Sequence, residues 1–349
     1  MRICMMNDNF YRSSGAAIAI RRISQALTNV DYCVAGCVDD ALSEDLSWVP
    51  AGRYECFDLK SSNPIRVVSE LIRFKRWFKL QGCGLVHCHH RRVSVLLQAA
   101  GFPVLYTGQF AFPYAVWFRW LHPRQMTAIT PSVARNLFET TGRKALACIG
   151  NPAHFPTTPP GMELDKVKSR AVCIARLDPV KGHAYLLAAW KMLRDRGYHY
   201  ELDLVGEGPL RSELEAQVQR DGTQELIRFL GFTTDVSSII GNSLFAVLVS
   251  EMEGQGIVTL EAAALGRPSL LTAVPGSVDL LPPGRRLRNA VSFGNVKELA
   301  DALEEWFAHP EDVIGEGERF FHFLKASSDP SRIAREYGEV YQQILAGSA

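Results

Sequence analysis

The stretch that decides the fold is Ser243-Leu244-Phe245-Ala246-Val247-Leu248-Val249, followed by Glu253-Gly254-Gln255-Gly256-Ile257-Val258-Thr259-Leu260-Glu261-Ala262-Ala263-Ala264-Leu265. Its first part is apolar and bounded by polar residues, as expected of a strand buried on both faces of a parallel sheet. Its last part reads as a helix, and the glycines between mark a tight turn. The order is therefore strand, acidic glycine loop, helix. This places Glu253 at the carboxyl end of a strand and aims backbone N–H groups of the helix start at whatever binds there. Such a helix start favours an anion by about 0.3–1 kcal/mol per charge. Carboxylates accept hydrogen bonds from sugar hydroxyls, and glycine lets a ligand approach the main chain. Two ordinary surface acids around a turn would look the same in isolation, so the reading depends on what surrounds them.

Strand-like and helix-like runs alternate along the whole chain of 349 residues, the pattern of parallel α/β sheets. The Pro- and Thr-rich segment 151–161 interrupts the alternation and reads as a linker. We expect a first Rossmann-like domain over 1–155, a second over 156–330, and a C-terminal helix over 331–349 that packs back towards the first. Net charge is +1, but residues 1–160 carry 18 Lys+Arg against 10 Asp+Glu, while residues 161–349 carry 20 against 27. The halves, at +8 and −7, predict different partners, with the first half meeting something anionic. No apolar run is long enough to span a bilayer, and the start lacks the layout of a signal peptide. Eight cysteines without a CxxC pair read as reduced and mostly buried, as in a cytoplasmic protein.

Other loops of the second half follow strands in the same way. Ala175-Arg176-Leu177-Asp178-Pro179-Val180-Lys181-Gly182 offers two cations, Arg176 and Lys181, able to neutralise a diphosphate. Val205-Gly206-Glu207-Gly208-Pro209 offers Gly206 for close ligand approach, and Phe229-Leu230-Gly231-Phe232 offers Phe232 to line a base pocket. Open α/β sheets bind ligands at these carboxyl ends. Gly206-Glu207-Gly208 lacks a third glycine at Arg211, which disfavours a dinucleotide-dependent dehydrogenase.

With these motifs in this order, joined by Gly266-Arg267-Pro268, the chain resembles the family-4 retaining glycosyltransferases. The resemblance implies the GT-B fold, two Rossmann-like parallel-sheet domains facing a cleft. It implies that Arg176 and Lys181 hold the donor diphosphate and stabilise it as it leaves, with Glu261 on the ribose and Glu253 beside the donor sugar. The amides around Gln255, Gly256 and Ile257 would meet sugar hydroxyls and phosphate, and Gly15 would belong to a glycine loop of the first domain. It also implies that no cofactor or metal is needed; the nucleotide-sugar is a substrate.

The chain departs from the family pattern in three places. Gln109, after the strand Pro103–Thr107, stands where the family often has a histidine near the reacting sugar; a glutamine hydrogen-bonds a hydroxyl but carries no charge. Asn151-Pro152 replaces Asn-Gly, and Asp279 takes the place of a late glutamate.

In His87-Cys88-His89-His90, strand alternation puts His87 and His89 on one face and His90 on the other, against a three-ligand metal site. His89 is a candidate, with Gln109, for the sugar or acceptor side. The runs 65–80 and 110–124 mix basic residues with Trp and Phe, the chemistry of a contact with an anionic membrane surface. No nucleic-acid-binding motif accompanies the basic half, so no nucleic-acid partner is expected.

The function expected is transfer of a hexose-type sugar, with retention, from a nucleotide diphosphate donor to a glycan or lipid-linked acceptor at the inner face of the plasma membrane. A UDP-sugar is the default donor and GDP-mannose the alternative. Competing readings are a nucleotide-sugar epimerase or phosphorylase of the same fold, and a non-catalytic sugar-nucleotide- or membrane-binding protein.

Overall fold

The computed structural model describes residues 2–10, 14–37, 46–111, 122–167, 169–284 and 289–347. The chain divides into two units, Met1–Pro152 with Asp329–Ala349, and Ala153–Ser328.

Unit 1 runs β1 (Arg2–Met6), α1 (Gly15–Ala26), β2 (Asp31–Gly36), β3 (Tyr54–Cys56), α2 (Pro64–Leu80), β4 (Cys83–Cys88), α3 (Arg91–Ala99), β5 (Val104–Gly108), β6 (Gln125–Ala128) and α4 (Pro131–Thr141). Unit 2 runs α5 (Leu164–Val167), β7 (Arg170–Ile174), α6 (His183–Asp195), β8 (Glu201–Val205), α7 (Arg211–Arg220), β9 (Ile227–Gly231), α8 (Val236–Gly241), β10 (Phe245–Leu248), α9 (Ile257–Ala264), β11 (Ser269–Thr272), β12 (Ala290–Val291), α10 (Val296–Ala308) and α11 (Pro310–Ser327). The last helix, α12 (Pro330–Leu345), returns to unit 1.

Each unit holds a six-stranded parallel sheet, ordered β3-β2-β1-β4-β5-β6 and β12-β11-β10-β7-β8-β9. Strand alternation builds a core on each face. In β1, Ile3 and Met5 join the core shared with α1 and α12, while Cys4 and Met6 join the core around Phe74 and Leu97. In β7, Ala171 and Cys173 face α6 and α10, and Val172 faces α9 and α11. The expected return of the C-terminal helix is seen: Ile333, Tyr337, Val340 and Tyr341, spaced as one helical stripe, are buried in the core of unit 1.

Each sheet has one place where the strand order turns back. In unit 1 it lies between β1 and β4, and in unit 2 between β10 and β7. A crevice opens at the carboxyl ends there because successive connections leave on opposite faces.

The apolar run Ala145–Ile149 reads in sequence as a strand that buries Cys148, but in the structure an isolated bridge joins Ala128 to Cys148, and Cys148 is exposed. Helix α11 went unrecognised because Gly315 and Gly317 break its apolar period. Packing requires the second of these, since a Cβ at Gly317 would fall 2.1 Å from the carbonyl oxygen of Gly266. The strand β3 is too short, at three residues, to give a readable pattern. Among the described residues no helix is long and apolar enough to cross a membrane.

Candidate functional site

The site of unit 2 is built at its switch point, from the loops after β7 and β10. Three backbone locks hold these loops and their neighbours together. Gly182 has φ +71°, and a Cβ there would lie 2.2 Å from the carbonyl oxygen of Val249. At Gly206, with φ +137°, a Cβ would lie 2.1 Å from that of Ala175, and at Gly276, with φ +89°, 2.1 Å from that of Gly254. No other residue fits such approaches. Backbone hydrogen bonds complete the weave, Glu251 N–H to Val180 O at 2.8 Å and Leu177 N–H to Glu207 O at 3.0 Å.

On this frame the structure brings Lys181 and Glu253 together, Nζ to Oε2 at 2.8 Å. Glu253 is 10% exposed and Lys181 22%. The pair lies between a surface pair, worth at most about 1 kcal/mol, and a buried one, whose breakage costs ~3–5 kcal/mol. Two further donors orient the Glu253 carboxylate. The Ser250 hydroxyl donates to Oε2 at 3.2 Å and the Gly254 N–H to Oε1 at 3.2 Å. Ser250 is placed in turn by Thr272, whose hydroxyl donates to its carbonyl oxygen at 2.5 Å.

Arg176 does not join that pair. Its guanidinium meets Asp178 at 2.7 Å and stays half exposed, so it is a cation at the rim while Lys181 is one in the floor. Gly206 lies against the backbone of Arg176. Gln255 is buried, and Gly256 N-caps α9 with no side chain closing the helix start at Ile257. Glu261 sits one turn further along α9 and is partly buried. Phe232 follows the edge strand β9 and is 46% exposed; its neighbour Phe229 has Arg211 over its ring, 5.7 Å from the centroid. His183, the first residue of α6, is buried beneath these loops. Burial and then the neighbouring Lys181 charge lower it to about 4, so its ring is neutral at physiological pH.

Sequence reasoning missed Asp178, Ser250 and Thr272. Only Asp178 lay within a quoted motif, and nothing in the spacing says that it binds Arg176.

In unit 1, Gly15 is exposed at the start of α1, where Ser14 caps the helix by accepting from Ala17 N–H at 3.4 Å. His89 and Gln109, just past β4 and β5, are brought together: Gln109 Nε2 lies 2.7 Å from His89 Nδ1. The three histidines of this segment divide their roles. His87 is locked in the core, Nδ1 to the Tyr341 hydroxyl at 2.8 Å and Nε2 to Thr107 Oγ1 at 2.6 Å. His90 N-caps α3 by accepting from Val93 N–H at 3.4 Å. Among the described residues no group of three or more His, Cys, Asp and Glu side chains could hold a metal ion.

Helix α2 buries Phe74 and partly covers Leu71, Trp77 and Phe78. On its outer side Ile65 (80%), Val68 (56%), Ile72 (50%) and Leu80 (85%) are exposed among Lys75, Arg76 and Lys79. Of the aromatic segment 110–124, residues 112–121 lie outside the described residues.

Residues 168–309 match the profile of the family Glycosyl transferases group 1. Over 99 residues the chain is 32% identical to the putative glycosyltransferase EpsF of Bacillus subtilis (strain 168), covering 28% of this chain and 26% of that protein. It is 26% identical over 155 residues to the lipopolysaccharide core biosynthesis glycosyltransferase LpsD of Rhizobium meliloti (strain 1021), covering 43% and 44%. The matched stretch thus spans less than half of either relative. The fold match extends over the whole chain. The Anabaena protein Alr3699/HepE, solved with UDP and with UDP and glucose, superposes with TM-scores of 0.79 and 0.81. Identity is 17% and 15%, with 98% and 97% of this chain and 100% and 99% of that one covered. The two parallel sheets and their flanking helices therefore make this chain a GT-B-fold protein, whose segment 168–309 is similar to Glycosyl transferases group 1.

Proposed function

We propose that the chain is a retaining glycosyltransferase that moves a hexose-type sugar from a nucleotide diphosphate donor to a glycan or lipid-linked acceptor, in the building of cell-surface polysaccharide or lipopolysaccharide. The observation that carries this reading is the Lys181–Glu253 pair at the unit 2 switch point, beside Arg176 and the uncapped start of α9. Arg176 and Lys181 neutralise the diphosphate, so no divalent metal is needed for that task. The amides of Gln255, Gly256 and Ile257 receive phosphate and sugar oxygens. Glu253 accepts from the sugar hydroxyls and Glu261 from the ribose, with Gly206 and Phe232 beside the nucleoside.

In the transfer step the acceptor hydroxyl oxygen bonds to the anomeric carbon as the bond to the leaving phosphate breaks. The phosphate oxygen takes the hydroxyl proton on the same face, which preserves the anomeric configuration. Lys181 and Arg176 stabilise the charge that grows on the leaving diphosphate.

The UDP-bound fold relative supports a UDP-sugar donor, with GDP-mannose the alternative. The relative named for lipopolysaccharide core biosynthesis supports the acceptor class. The outer side of α2, apolar and basic together, supports contact of unit 1 with an anionic membrane surface, on the cytoplasmic side where such donors are made.

Calorimetric titration with UDP, GDP, ADP and NAD, without added metal, tests the reading. Tight binding of one nucleoside diphosphate, lost in Lys181→Ala, is the expected result. Binding of NAD alone, or of none of the four, overturns it.

A further inference from the structure

At the switch point of unit 1 stands His89. Its backbone N–H donates to the Met6 carbonyl oxygen at 2.9 Å, which ties the end of β4 to the end of β1. The side chain is 6% exposed. Beside it the His87 ring lies 4.6 Å away at 36°. His87 is satisfied on both nitrogens and cannot turn, because Tyr341 of α12 holds one and Thr107 of β5 the other. Thr107 is held in turn by Thr127 of β6, Oγ1 to Oγ1 at 2.7 Å. His89 is different. Its Nδ1 meets the Gln109 amide nitrogen, but its Nε2 is buried and has no hydrogen-bond partner among the described residues.

In this orientation the Gln109 amide turns its nitrogen, which only donates, towards His89, so Nδ1 is assigned as the acceptor and the ring proton is placed on Nε2. Burial lowers the imidazole pKa to about 3, which keeps the ring neutral at physiological pH. A buried N–H without an acceptor is rare in folded proteins. Here it stands at the edge of the sheet where α/β folds bind their ligands. A single neutral donor matches a neutral hydroxyl oxygen; a phosphate calls for cations, which unit 2 provides in Arg176 and Lys181.

We propose that His89 Nε2–H donates to a hydroxyl oxygen of a bound sugar, and that Gln109 is a positioning residue that acts through His89 by holding it in this tautomer. The assignment rests on the glycosyltransferase reading for its ligand class. It gives the glutamine after β5 a task that needs neither charge nor direct proton transfer.

The test is nitrogen-15 NMR of the full chain with labelled histidine, titrated with UDP, UDP-glucose, GDP-mannose, glucose and mannose. The expected spectrum shows a neutral His89 with the proton on Nε2. Its resonance moves with the sugar-bearing probes and stays with UDP. Movement with a nucleotide sugar alone assigns the donor sugar, and movement with a free sugar assigns the acceptor side. In Gln109→Glu the carboxylate accepts from Nδ1–H and raises the ring pKa. Sugar affinity then falls as pH rises through that pKa, whereas the wild type is flat. His89→Ala is expected to lose about tenfold in affinity for the responding sugar, the worth of one neutral hydrogen bond. His89→Gln, which can still donate, should recover part of it and report on folding. A proton on Nδ1 in the wild type, or a resonance that no sugar probe moves, overturns the proposal. UDP and GDP titrate a different unit. Their failure to bind would sink the glycosyltransferase reading while the free-sugar response still decides the role of His89.

Discussion

The two units share a sheet topology and hold their switch points in different ways. In unit 2 the loops are locked backbone to backbone. Gly182, Gly206 and Gly276 each bring the main chain so close to a carbonyl oxygen that no Cβ fits. In unit 1 the same edge is held by side chains, through the run Tyr341–His87–Thr107–Thr127 and the neighbouring pair His89–Gln109. A Cβ at its edge glycine Gly36 would meet side-chain atoms, the Tyr54 hydroxyl at 2.9 Å and Cys56 Sγ at 3.8 Å, and not a carbonyl oxygen. A backbone lock demands glycine at fixed spacing and leaves a mark in sequence. A side-chain lock can be met by many residue combinations and leaves none. The family match covers 168–309 and thus falls wholly in unit 2.

The sharpest way to break the comparison is Gly206→Ala against Gly36→Ala. The first is expected to cost about 2–4 kcal/mol, from positive φ and a backbone clash, and the second less than ~1 kcal/mol. Urea unfolding followed by circular dichroism measures both. Equal costs would mean that unit 2 is not backbone-locked.

Lys181→Ala should lower affinity for the bound nucleoside diphosphate by roughly 100-fold, by loss of a charge-assisted contact of about 1.5–3 kcal/mol. Glu253→Gln should keep nucleotide affinity or raise it, since the carboxylate no longer competes for Lys181, while turnover drops at least about tenfold. If Glu253→Gln instead loses the nucleotide, the acid binds the diphosphate end rather than the sugar.

Acid should act on both units. His87, His89 and His183 are neutral and buried, with pKa values lowered by burial. Unfolded, each titrates near 6.5, so between there and its folded value the unfolded chain binds more protons. Stability is therefore unaffected by these groups above about pH 6.5. It falls below it, by up to ~1.4 kcal/mol per pH unit for each group, and levels off near pH 4 for His183 and near 3 for His89. Thermal unfolding in steps of pH checks this, and a melting temperature constant down to pH 5 would contradict it.

The smallest effect should come from Lys79→Ala on α2. A loss of about 1 kcal/mol, roughly fivefold, is expected in binding to vesicles rich in anionic lipid, with UDP affinity unchanged. Equal binding to neutral vesicles would remove the electrostatic part of the asymmetry between the halves.

Legibility followed the same division. The strand–loop–helix order around Glu253 and the cations of the loop after β7 were readable because short-range spacing encodes them. Asp178, Ser250 and Thr272 were not recognised, since their partners are chosen by the folded loops. Tyr341 lies 254 positions from His87, a distance over which no period or motif carries information. Helix α11 was lost for a related reason. Gly317, which its packing against the loop at Gly266 requires, is the residue that spoils its helical pattern.

The return of α12 to unit 1 has a consequence for the order of events during synthesis. Unit 2 is one continuous segment whose two ends meet, Ala153 N–H to Ser328 O at 2.9 Å. Unit 1 is split around it, and its core waits for Ile333, Tyr337 and Tyr341. The half made first is therefore the half completed last. Until residues 329–347 leave the ribosome, the seat of Tyr341 beside His87 is open, and the nascent first half carries an uncovered apolar face that a chaperone can hold. Arrested chains ending just before Asp329 should accordingly show a protease-resistant unit 2 beside a protease-sensitive unit 1.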